Sequence, residues 1–124
     1  TYLPIDDTDP NLSSYLTVDW ATNYSQLVIW LRIGTTATRT VTLPTPSSTY
    51  TGKVIEIFFG DTTNDAYFGQ VTAGGTNRIT YRDGNTISTA TTYDGGQNMK
   101  YVKLFCMQDP NGLAYQWLIL DSRI

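Results

Sequence analysis

The stretch KYVKLFCMQDPNGLAYQWLIL, residues 100–120, holds two apolar runs around the turn signal Asp109-Pro110-Asn111-Gly112. Proline presets φ in such a turn, and Gly112 is expected to supply the positive φ. In the first run Tyr101, Lys103, Phe105 and Met107 alternate with Val102, Leu104 and Cys106. In the second, Tyr115, Trp117 and Ile119 alternate with Gln116, Leu118 and Leu120. Strand side chains leave opposite faces with period 2, so the runs are expected as the two strands of a hairpin. Few charges interrupt either face. The hairpin is therefore expected to be covered on both sides, by the rest of the domain and by a partner chain.

Period 2 recurs upstream. Strands are expected at 15–20, 27–33, 38–43 and 53–59, with weaker ones around 67–72 and 78–81 and a short one at 86–92. In 27–33, Leu27, Ile29, Leu31 and Ile33 share one face, opposite Val28, Trp30 and Arg32. Pro44 and Pro46 close the strand before them, since neither can donate to a ladder. Asp83-Gly84 is a hairpin turn signal. Residues 1–14, with two prolines, three aspartates and no period, are expected as an extended lead-in to a single β domain over 15–124. Eight or nine short strands at this spacing imply an all-β fold, an antiparallel sandwich or jelly-roll-like barrel.

Composition agrees with that fold and narrows the chemistry. Threonine dominates the 124 residues, glutamate occurs only at Glu56, and lysine only at Lys53, Lys100 and Lys103, so helix formers are scarce. A net charge of −3 argues against a nucleic-acid partner, which needs a basic stripe to displace counterions. No run of eighteen apolar residues is present to cross a membrane as a helix. The lone Cys106 reads as a small buried hydrophobe, and its count excludes a disulfide framework. Histidine is absent, which removes Ser–His–Asp and Cys–His machinery and zinc sites built on Cys and His. Loop aspartates Asp6, Asp7, Asp9, Asp61, Asp65, Asp83 and Asp94 offer carboxyl pairs in principle, but such residues ordinarily serve turns through their own backbone. The oxygen-rich loops 6–11 and 61–65 lack the glycine and the bidentate glutamate of a calcium loop. The expectation is no catalysis, no cofactor and no metal.

Carbohydrate recognition is the binding chemistry these residues suit. Sugars stack apolar faces on aromatic rings while placed polar groups hold hydroxyls. Tyr67, Phe68, Tyr81 and Tyr93 lie in or beside the loop-rich middle and are the candidate ligand-binding residues. Trp20, Trp30 and Trp117 fall on expected strands, where packing is their ordinary role.

Thr40-Val41-Thr42-Leu43-Pro44, followed by Gly52-Lys53-Val54-Ile55-Glu56-Ile57, resembles a pattern of small β domains in tailed-bacteriophage fibres. There a "TVTLP" strand precedes a "GKxIxI" strand, a variable middle and a closing "YxxVxLxxDGxxWxL" hairpin. The hairpin of residues 101–120 is similar to that close, and Thr1-Tyr2-Leu3-Pro4 to the short lead-in before a fibre head. The likeness spans residues 40–120, departing in Pro110-Asn111 and in a longer middle. It implies a virion fibre protein, commonly a homotrimer, of a head or tail appendage, and transfers no binding residue. On that reading the chain, which opens abruptly at Thr1, is a piece of a longer fibre protein.

The expected function is a distal fibre domain that attaches to a host surface glycan or receptor. A purely structural capsid or fibre decoration module fits the same residues, as does a carbohydrate-binding module of a secreted glycan-degrading enzyme. The homotrimer expectation rests on strands apolar on both faces, with Val28, Trp30, Tyr101, Phe105 and Met107 as candidate interface residues.

Overall fold

The computed structural model describes residues 2–6, 10–15, 20, 23–31, 38–60, 68–96 and 99–124. Its strands are Tyr2–Ile5 (β1), Gln26–Leu31 (β2), Thr38–Leu43 (β3), Val54–Phe59 (β4), Phe68–Ala73 (β5), Ile79–Asp83 (β6), Thr86–Ala90 (β7), Thr92–Tyr93 (β8), Tyr101–Gln108 (β9) and Tyr115–Arg123 (β10). Seven of them form one sheet, in the order β1-β2-β4-β9-β10-β6-β7, and β3-β5-β8 form a second. The all-β sandwich expected from the sequence is the fold.

The sheets are mixed where antiparallel ones were expected. β1 runs parallel to β2, β2 to β4, β6 to β10, and β3 to β5. The cause is the route of the chain. It leaves the large sheet after β2 for β3, returns for β4, and leaves again for β5, so neighbours in one sheet are joined through the other. Parallel neighbours need such crossovers: β3 supplies the one between β2 and β4, and β4 the one between β3 and β5.

Period 2 decides what faces the core. Leu27, Ile29 and Leu31 of β2, Ile55, Ile57 and Phe59 of β4, and Val102, Leu104 and Cys106 of β9 are all buried. They meet Val41, Leu43, Val71 and Ala73 from the small sheet. Arg39 shares the buried face of β3 with Val41 and Leu43, and its Nη1 donates to the Leu31 carbonyl at 2.8 Å. Burial pushes the Cys106 thiol up to about 11, and its Sγ sits 3.8 Å from the Ser47 carbonyl oxygen.

Three local expectations need correction. The lead-in holds β1, and its Ile5 and Leu12 enter the core. The strand expected at 15–20 is not formed at its described ends: Tyr15 caps a 3₁₀ turn over Leu12–Ser14, and the Tyr24 N–H donates to the Trp20 carbonyl in a helical turn. Residues 16–19, like 32 and 33 of the next expected strand, lie outside the described ones. In the closing hairpin it is Leu113, not Gly112, that takes the positive φ, at 59°. The Asp109 carboxylate accepts from the Asn111 N–H, and the Leu113 N–H closes on the Asp109 carbonyl at 2.8 Å. That wider loop moves the left-handed position one residue past the glycine.

Candidate functional site

The hairpin of β6 and β7 ends the large sheet, and β8 is an edge of the small one. Only Thr91 separates β7 from β8, so the two sheet edges meet at this corner. Thr91 is held there from both directions. Its carbonyl accepts from the Ala73 N–H at 3.2 Å and its hydroxyl from the Asn77 N–H at 3.0 Å. β8 is placed by its pairing with β5, Tyr93 opposite Val71.

A groove of about 340 Å³ opens at the corner, and Tyr81 and Tyr93 both line it. Their ring centroids are 5.2 Å apart with planes tilted by 46°, within the contact range of aromatic pairs. The Tyr93 hydroxyl is 3.0 Å from Ser122 Oγ, which anchors that ring to β10. Asp83 and Asp94 are part of the same lining. Asp83 is two residues beyond Tyr81 on β6 and so shares its face; Arg82, between them in the chain, also lines the groove, and its Nε donates to the Gly84 carbonyl. Asp94 Oδ1 accepts from the Gly96 N–H at 3.0 Å, an Asx turn over Gly95 and Gly96. Both glycines have positive φ, 70° and 91°, a backbone that side-chain-bearing residues rarely adopt. Among the described residues, the Tyr81 hydroxyl, the Asp83 carboxylate and Asp94 Oδ2 have no hydrogen-bond partner.

Of the four aromatic candidates the fold thus brings two together. Tyr67 lies outside the described residues, and Phe68 opens β5 opposite Thr38, three positions before the Val71 that pairs with Tyr93. Asp94 serves a turn, as loop aspartates were expected to do, whereas Asp83, expected in a loop, is the last residue of β6. Asp83, which lines the same groove, was not among the candidate binding residues. Its spacing of two from Tyr81 was the available signal, once residues 79–83 are read as a strand.

The candidate interface residues share a different surface, the outer face of the large sheet. Across that face Trp30, Phe58 and Tyr101 form one row, Tyr2, Val28, Glu56 and Lys103 a second, and Val54, Phe105 and Leu118 a third. Phe58 stacks on Tyr101 with centroids 4.9 Å apart, and the Trp30 indole donates to the Gly60 carbonyl at 2.7 Å. Val28, Trp30, Tyr101, Phe105 and Met107 are each half-buried, although the small sheet covers only the opposite face. Beside Tyr2, Val28, Trp30 and Phe58 a cavity of about 370 Å³ opens on this surface. In the second row of this face Glu56 accepts from Gln26 Nε2 at 3.0 Å and stands 3.7 Å from Lys103 Nζ. Burial, and then the Glu56 charge, raise the Tyr101 hydroxyl above the usual tyrosine range.

Among the described residues, no group of three or more His, Cys, Asp or Glu side chains is placed to hold a metal ion, and no helix is long and apolar enough to cross a membrane. Comparison with known proteins gives no match to a family model, a curated protein or a solved structure.

Proposed function

We propose that this chain is a non-enzymatic attachment domain that holds a surface saccharide in the Tyr81–Tyr93 groove and works as the distal part of a trimeric virion fibre. The observation that carries the binding half is the convergence of two tyrosines with polar groups that lack a protein partner among the described residues. Rings for an apolar sugar face, with acceptors beside them for hydroxyls, are the composition of a small-ligand site. A concave corner between two sheet edges, each fixed by its own ladder, positions those groups before any ligand arrives. The absence of histidine supports the non-enzymatic half. The fibre context comes from the resemblance of residues 40–120.

The trimer is supported by the outer face of the large sheet. A surface three rows deep, with its central glutamate already paired to a lysine, offers a partner much apolar area and little uncompensated charge. Closed symmetry would bury it, and three sites on one tip raise avidity for a repetitive glycan by about 10²–10⁴.

Two measurements test this reading. Light scattering of the purified chain at micromolar concentration is expected to give three times the chain mass, and a one-chain mass removes the trimer. Tyr81→Ala is expected to weaken binding to host cells or polysaccharide by about tenfold or more, the scale of a hot-spot aromatic, with the melting transition kept. A trimer that binds neither cells nor polysaccharide would favour the purely structural fibre module.

A further inference from the structure

The groove has a charge character that composition does not reveal. Strand alternation gives it Tyr81 and Asp83 from β6, and the turn after β8 adds Asp94. Arg82, the one cation among the described residues of the lining, is tied by its Nε to the Gly84 carbonyl at 3.1 Å. Among the described residues, the groove is thus lined by two carboxylates and one arginine, a set that is net negative. Carboxylates only accept hydrogen bonds, so their complement is a ligand rich in hydroxyl donors.

We infer that the groove selects neutral saccharides and rejects those bearing carboxylate, sulfate or phosphate, with Asp83 and Asp94 as the specificity-determining residues; this rests on the saccharide reading above. A neutral sugar lies on the tyrosine rings and donates hydroxyls to Asp83 and to Asp94 Oδ2. An acidic sugar in the same place sets an anion against two others and loses a donor at the acidic position. Discrimination arises from that repulsion as much as from the hydrogen bonds that a neutral ligand makes.

The test compares matched oligosaccharides, a neutral one and its sialylated or uronate counterpart, against the wild-type chain and the Asp83→Asn, Asp94→Asn double variant. Asparagine can keep the Asx turn, so the variant is expected to retain the fold. At low ionic strength the wild type is expected to bind the neutral member about tenfold or more tightly than the acidic one. Added salt should narrow that gap, because exposed charges are screened. The double variant should narrow it severalfold at low salt. Equal or tighter binding of the acidic member overturns the inference and leaves the saccharide reading standing. A gap that the double variant leaves unchanged also overturns it. A folded wild-type chain that binds neither member removes the saccharide reading itself.

Discussion

Trp117→Ala is expected to lower unfolding stability by about 3–5 kcal/mol, the range for truncating a buried tryptophan. The ring is fully buried, and its neighbours explain why the hole would not close. Trp117 pairs with Cys106 of β9 on one side and with Ile79 of β6 on the other, so its backbone is fixed from both directions. Its indole N–H donates to the Pro44 carbonyl at 2.9 Å, reaching from the large sheet to the loop after β3. Tyr50 lies between it and Trp20, with ring centroids 6.2 Å from each. Truncation therefore leaves a cavity between two sheets, a buried carbonyl without its donor, and a tyrosine stripped of one neighbour. A domain of this size has roughly 5–15 kcal/mol in total, so the variant sits close to unfolding. Trp117→Phe keeps most of the volume and isolates the lost hydrogen bond, at about 1–3 kcal/mol. Urea midpoints of both variants check the pair. An alanine variant with the wild-type midpoint would mean that the ring carries none of this packing.

The strands that frame the core were legible because their burial is one-sided or strongly alternating. β2, β3, β4, β9 and β10 fall where period 2 places them, and their core-facing sets are the ones alternation selects. β1 was not legible. Four residues containing Pro4 make a poor strand by propensity, and this one is stabilised by its ladder to β2 rather than by its own preferences. Strand order was hidden for a different reason. Alternation tells which face a residue takes, but not which sheet its strand joins, and successive strands here often change sheets. Arg39 shows the limit of composition. Its position between Thr38 and Thr40 puts it on the inner face, against everything its charge suggests.

The groove was half legible for the same physical reason. Tyr81 and Tyr93 were candidates as aromatics near turns, but their meeting depends on β7 and β8 belonging to different sheets. No spacing in the sequence encodes that. The outer face was easier, since two-faced apolar strands are visible one strand at a time. The register then adds what single strands cannot: Trp30, Phe58 and Tyr101 fall in one row, and Glu56 and Lys103 meet beside it.

The tight approach of the two sheets at Gly69 yields the second large effect. Gly69 of β5 pairs with Arg39, and its N–H donates to the Met99 carbonyl at 2.9 Å. The Phe59 ring of β4 lies directly over it. A Cβ at this position would stand 2.0 Å from Phe59 Cδ1 and 2.1 Å from Cε1, far inside contact distance. Here the need for glycine is one of space, since its backbone is not in the left-handed region. The ring has little freedom to retreat, because Phe59 is 5% exposed and its N–H is bonded to the Lys100 carbonyl. Gly69→Ala must then push the sheets apart or force the ring off its rotamer, and is expected to cost about 3 kcal/mol, the upper end for overpacking. If the ring is the cause, removing it should absorb the extra methyl. In the Phe59→Ala background, itself destabilised by about 3–5 kcal/mol, Gly69→Ala is expected to cost less than about 1 kcal/mol. Denaturant midpoints for the two single variants and the double complete the cycle. Additive losses would show that the glycine is required for something other than the aromatic ring above it.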